Sequence, residues 1–324
     1  MTIVTMNYYN LNIRQLKDPK DPKGDKGDRI SWTSRCLDVN SPDFLFKNLN
    51  GKRPRAPIFY GNATIETLLN GTAPNQRDRA ESQNFCEIGI DKDDAWQQTE
   101  IVTIHEGMVW IYKPVGQIEE FKPDEIAGLP KHDSMKCFPV KILYEGKQRD
   151  VPLILASQRS NQAFSRGTFK RILPEIYPGN ICAIEHLRKV KGARDVARLD
   201  HLCSLEFETL VAKIFEEAGC FVPAYKGGLM EGIDLVVCND GVEAILVHGI
   251  TVPAGKRISL QLKLRSSDLK KDRGYADFLI VNQSIDKKVA HCFGRAWVDA
   301  CLKKDYSNSR KWLDRTTDWS HFKT

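Results

Sequence analysis

Residues 258–265 read ISLQLKLR, an unbroken alternation of apolar and polar side chains. Successive side chains of a strand point to opposite faces, so this stretch predicts a strand with one buried and one polar face. Ile258, Leu260, Leu262 and Leu264 share the buried face; Ser259, Gln261, Lys263 and Arg265 share the other. A half-apolar strand needs a second layer to cover it. Residues 204–219, SLEFETLVAKIFEEAG, offer that layer. Phe207, Leu210, Val211, Ile214, Phe215 and Ala218 recur at helical spacing and predict an amphipathic helix. Ser204 is its expected N-cap and Gly219 its C-terminal stop. Glu208 follows Phe207 and flanks the apolar face.

Around these two elements the segment 200–324 reads as helix, strands, helix. CFVPAYKGG, starting at Cys220, predicts a short strand and a glycine turn. GIDLVVCNDG, starting at Gly232, predicts a strand closed by a turn at Asn239-Asp240-Gly241. EAILVHGITV predicts a further strand, and DFLIV over 277–281 a buried one. Residues 284–304 predict a long closing helix. The expected fold class is α/β (α+β), with a C-terminal mixed sheet flanked by helices and a β-rich domain before it.

Residues 1–30 are expected to form a flexible arm, since KDPKDPKGDKGDR over 17–29 has almost nothing to bury. Residues 31–199 are expected to form a β-rich recognition or regulatory domain. Within it, 99–116 predict a hairpin turning at Glu106-Gly107, and 138–155 a second turning at Glu145-Gly146. TIETLLNG predicts a short helix stopped by Gly71. The charged segment 185–201 reads as a helix-compatible connector, which places the boundary near residue 200.

Composition narrows the setting. The 324 residues are 41% apolar and 28% charged, as expected for a globular protein of two domains. No apolar run reaches the ~18 residues of a membrane span, and the N-terminus lacks a secretory pattern, so a cytoplasmic protein is expected. Nine cysteines include no CxxC pair, which argues against a disulfide framework and a standard zinc site. From Lys256 onward there are 16 Lys/Arg against 8 Asp/Glu, while the remainder has 32 against 34. That basic end suits a polyanion or an ordinary solvated surface.

The polar groups on the strands suggest a specific chemistry. Asp234 sits among apolar residues in GIDLVV, and Gln261 and Lys263 share a strand face. Phosphodiester hydrolysis uses a hard divalent ion held by oxygen ligands, which activates water and neutralises developing charge. Asp234 offers a carboxylate. The Gln261 side chain and the Leu262 carbonyl offer neutral oxygens. Lys263 offers an ammonium, and Glu208 a second negative charge. Further upstream, residues 155–172 interleave Arg159, Arg166, Lys170 and Arg171 with Phe164 and Phe169. With Arg265 these cations are candidate nucleic-acid contacts. The same pattern fits a polar loop with two phenylalanines anchored in a core.

The order of Phe207-Glu208 in a helix, Gly232-Ile233-Asp234 on a strand and Gln261-Leu262-Lys263 on the next core strand resembles the Mrr-like restriction endonucleases, a branch of the PD-(D/E)xK nuclease superfamily. The resemblance covers about residues 200–300. It implies a restriction-endonuclease-like core, a Mg²⁺ or Mn²⁺ ion, cleavage of DNA and a role in restriction or anti-phage defence. By it, Glu208, Asp234, Gln261 and Lys263 take the metal and water roles. Two features depart from the family pattern. MEGIDL has Glu231 where an aspartate is usual, and VHGITVPAGKRI lengthens the stretch before Gln261. Other readings stay open: a non-catalytic module binding nucleic acid or a partner, and a repair or recombination nuclease. A homodimer fits duplex cutting, and the N-terminal domain fits a reader of DNA or a receiver of a protein or small-molecule trigger.

Overall fold

The computed structural model describes residues 7–11, 36–41, 44–47, 53–58, 64–70, 98–105, 107–122, 125, 135–157, 169–190, 197–223, 232–286, 288–303 and 306–322. The protein is mixed α/β, with several sheets and helices. It divides into two compact units: 1–151 with 162–192, and 152–161 with 193–323. Among the described residues no helix is long and apolar enough to cross a membrane.

The first unit is built on a seven-stranded sheet. Its strands are β1 (Asn7–Leu11), β2 (Arg55–Ile58), β3 (Thr99–His105), β4 (Met108–Pro114), β5 (Glu119–Phe121), β6 (Met135–Lys147) and β7 (Phe169–Ile172). The order is β2-β6-β4-β3-β1-β7, with β5 also on β6. Its core gathers Phe44, Phe46, Ile101, Trp110, Tyr112, Met135 and Phe138. The first expected hairpin forms, with His105 opposite Met108. The short helix of TIETLLNG forms as α1 (Ile65–Leu69); Gly71 lies outside the described residues.

Two expectations for this unit are corrected. Residues 7–11 were expected in a flexible arm, but they form β1 between β3 and β7, where their backbone groups complete two ladders. The turn expected at Glu145-Gly146 is absent: β6 runs through it, with Gly146 paired to Val109. A Cβ on Gly146 would lie 2.2 Å from the Tyr144 hydroxyl oxygen. The glycine makes room for a phenol rather than turning the chain. The chain bends only after Lys147, leading to α2 (Leu153–Ala156), which belongs to the second unit. The segment 185–201 is not one helix either. Helix α3 (Pro178–Leu187) ends at Arg188, and a 3-10 turn follows at Arg198–His201.

The second unit carries the alternating strand pattern of residues 258–265. Helix α4 (Ser204–Glu217) buries Phe207, Leu210, Val211, Ile214 and Phe215. Cys203, not Ser204, is the N-cap, and the Glu206 carboxylate accepts from the Cys203 N–H at 2.8 Å. Gly219 does stop the helix. At φ +95 it donates to the Glu216 carbonyl while Cys220 donates to Phe215, the two bonds of a Schellman motif. Strand β8 (Leu235–Cys238) pairs antiparallel with β11 (Arg257–Lys263), and β11 pairs parallel with β12 (Phe278–Val281). The short β13 (Cys292–Phe293) adds an edge. Within CFVPAYKGG the described strand contact is a bridge from Phe221 to Cys238.

The stretch before β11 becomes a hairpin of its own, β9 (Ile245–Val247) and β10 (Ile250–Val252). Its turn is His248-Gly249, both at positive φ. The long closing helix is also corrected. Helix α5 (Leu269–Arg273) stands between β11 and β12; among the described residues no helix stands between β12 and β13, and α6 spans only Arg295–Lys303, followed by α7 (Ser307–Thr316). A Cβ on Gly294 would lie 2.8 Å from the Gln283 carbonyl, so backbone crowds backbone there, and His291 at φ +61 turns the chain into β13. Eight of the nine cysteines are described, and seven of them are buried.

Candidate active site

Ile258, Leu260 and Leu262 join the core beneath α4, together with Leu235, Val237 and Ile280. The pleat therefore turns Ser259, Gln261 and Lys263 to the other side of the sheet. The antiparallel register pairs Leu260 with Leu235. Just before Leu235, Asp234 stands beside Gln261, whose side-chain amide reaches its carboxylate, and the Asp234 N–H donates to the Leu260 carbonyl at 2.9 Å. The hairpin β9–β10 absorbs the long insert without disturbing this register.

The Asp234 carboxylate is the hub. Its Oδ2 accepts from the Gln261 side-chain amide at 2.5 Å and from the Leu262 N–H at 2.6 Å. The N–H and C=O of one strand residue leave on the same edge, so the Leu262 carbonyl also heads toward the start of β8. Gly232, at φ +74, takes a backbone conformation that a side chain resists. A Cβ there would sit 3.8 Å from the Gln261 Oε1. That is ordinary contact distance, so the positive φ rather than a lack of room favours glycine here. Gln261 is 6% exposed, and its buried Oε1 has no hydrogen-bond partner among the described residues. Leaving a buried polar oxygen unpaired costs about 1–3 kcal/mol.

Burial pushes the Asp234 carboxyl above the usual carboxylate range. The Leu262 N–H, the Lys263 charge and the Gln261 amide pull it down, less strongly. The carboxylate is therefore under-compensated by its own neighbours. A cation placed beside it offsets that cost.

The structure brings together Asp234, Gln261, Leu262 and Lys263. Glu208 is half-buried on the first half of α4, which packs on β8 and β11 from the apolar side. Among the described residues Asp234's hydrogen-bond partners are Leu260, Gln261 and Leu262, and Glu208 is not one of them. No group of three or more His, Cys, Asp or Glu side chains among the described residues is placed to hold a metal. What this corner offers is oxygen of three kinds: carboxylate, amide and backbone carbonyl. That set suits a hard ion such as Mg²⁺ or Mn²⁺ rather than zinc.

The remaining candidates are spread out. Arg159, Arg166 and Glu231 lie outside the described residues. Lys170 and Arg171 fall on β7 in the first unit, and Arg265 is exposed just beyond β11. The turn at Asn239 forms as expected, with the Gly241 N–H donating to its side chain.

The supports behind the site have no signature in the sequence. Asn282 donates its N–H to the Lys263 carbonyl at 2.9 Å and its side-chain amide to the Leu199 carbonyl at 2.7 Å. Arg295 donates to the Asn282 side chain and pairs with Asp200. Asp277 accepts from both the N–H and hydroxyl of Ser259. These partners stand 13 to 95 residues apart, so no local spacing announces them.

The chain matches no protein-family model, no curated protein and no solved structure.

Proposed function

We propose that this protein is a divalent-metal-dependent endonuclease that hydrolyses DNA phosphodiester bonds, with its site at the start of β8 and the end of β11. One observation carries the reading. A half-buried carboxylate, a buried amide oxygen without a partner and a backbone carbonyl meet on one strand pair, with an ammonium two residues along the same face. The helix with Glu208, the antiparallel pair and the parallel third strand also fit the restriction-endonuclease-like core that the motif order implies.

Asp234, Gln261 and the Leu262 carbonyl would hold the ion, and Glu208 would supply the further charge. When bound, the ion supplies Lewis acidity and a water of lowered pKa. The chain's own part is electrostatic and positional. The Leu262 N–H and the Gln261 amide fix the Asp234 carboxylate in one orientation. Lys263, held through its carbonyl by Asn282, places an ammonium toward the charge that builds on the phosphate oxygens. The paired backbone keeps these groups rigid, as positioning demands.

Supercoiled plasmid, methylated and unmethylated, incubated with Mg²⁺ or EDTA provides the test. The expected result is Mg²⁺-dependent nicking or linearisation that falls about 10²–10³-fold in Lys263→Ala. Undiminished cutting by that variant, or cutting in EDTA, would sink the reading. Restriction or anti-phage defence is the setting the motif order suggests. Preferential cutting of one plasmid form would supply the discrimination such a role needs.

A further inference from the structure

Parallel strands require a crossover along one sheet face, and β11 returns to β12 through residues 264–277. This crossover contains a short helix, residues Leu269–Arg273, which packs on β12. The register sets Leu279 beside Gln261 and Val281 beside Lys263, on the face away from α4. Both are fully buried. The crossover therefore covers the sheet on the same face as the candidate site.

Its path is pinned. The Gln283 side chain brackets the backbone of Ser266, and the Ser266 hydroxyl donates to Asp272 at 2.6 Å. Asp268 caps the short helix, accepting from Lys270 and Lys271 N–H groups at 3.1 Å. Arg273 donates to the Ala276 carbonyl at 2.9 Å, and Asp277 is tied to Ser259. Between these last two anchors Gly274 turns at φ +56, and Tyr275 is left 90% exposed.

Two features set this turn apart. A tyrosine normally buries most of its ring, and here a rigid loop holds the ring out in water. The nearby aspartates also spend their oxygens on internal bonds, while Lys270 and Lys271 are exposed and form no ion pair among the described residues. Unpaired cations on a backbone-anchored helix, followed by a presented aromatic ring, are the elements of an unpaired-nucleotide platform.

We propose that the turn holds an unpaired nucleotide of the bound strand away from the scissile bond: Tyr275 stacks on its base, and Lys270 and Lys271 contact the flanking phosphates. This inference rests on the nuclease reading of the site on the same sheet face. An unpaired strand fits better than an intact duplex, because a duplex hides its base faces and would leave the ring nothing to stack on.

The test is equilibrium binding of the full chain in EDTA to a labelled single strand of about 20 nucleotides and to the matching duplex. Tyr275→Ala weakens single-strand binding about 5- to 100-fold, whereas Tyr275→Phe keeps it, because the ring remains. Lys270→Ala with Lys271→Ala flattens the salt dependence of single-strand binding by a log–log slope of roughly 1.4. The single-strand loss in Tyr275→Ala exceeds the duplex loss. Equal losses on both, unchanged binding in Tyr275→Ala, or no single-strand binding by the wild type would overturn the proposal. Failure of the nuclease reading shows separately. Cutting would then be absent, or would survive Lys263→Ala, while the Tyr275 effect on binding persists.

Discussion

Asp234 shows how a single residue can be costly to the fold and useful to a site. Burial raises its pKa, with the Leu262 N–H, Lys263 and the Gln261 amide only partly opposing that shift. The folded chain therefore takes up this proton before the unfolded chain does. Relative stability from this residue then rises as pH falls through the raised folded value, and the cost is full above it. Asp234→Asn keeps an oxygen for the Gln261 and Leu262 donors and removes the charge. We predict that it melts no lower than wild type at pH 7–8, cuts no DNA, and loses its relative stability advantage on acidification. Melting curves at several pH values check this; a lower Tm for the variant at neutral pH would contradict it. Asp234, Gln261 and Lys263 were visible in the sequence because strand periodicity assigns faces directly. Gly232 was visible as a motif letter, but its reason, a positive φ, belongs to three dimensions.

At the scale of elements, α4 and β11 were readable because each carries a strict apolar period that tertiary packing then uses. The failures came where glycine and local contacts overrule periodicity. Gly146 lies inside a strand under a tyrosine, and Gly294 separates an edge strand from a helix that the sequence ran together. Helix α7 adds a support that the sequence hid. The Glu217 carboxylate at the end of α4 accepts from the N–H groups of Asn308 and Ser309 and from the Ser309 hydroxyl. Partial burial works to raise its pKa, but those bonds and Lys311 outweigh it and hold the carboxyl low. Glu217 stability is thus present above the unfolded pKa and is lost as pH falls through the lowered folded value. Glu217→Ala is expected to cost about 1 kcal/mol at neutral pH, the scale of a lost helix cap, and almost nothing in acid. Urea titrations at the two pH values measure the difference. An equal cost at both would assign the effect to packing instead.

For the whole molecule, the site draws on pieces far apart in the chain. Asp200, Asn282 and Arg295 brace the backbone beside Lys263, Asp277 holds β12 to β11, and the β9–β10 hairpin is inserted without moving Asp234 from Gln261. This bracing depends on long-range pairing that no window of sequence contains. The specific claim rests on one corner of one sheet and not on the net charge of +6. That claim is that Asp234 and the partnerless oxygen of Gln261 bind a divalent ion. The most direct measurement is a Mn²⁺ titration of the purified protein without DNA, following free Mn²⁺ by its paramagnetic resonance signal. One saturable site, abolished in Asp234→Asn and weakened at least 10-fold in Gln261→Ala, is the predicted result. Mn²⁺ binding that is absent, or identical in all three proteins, would contradict it and leave Asp234 and Gln261 as a structural link between two strands.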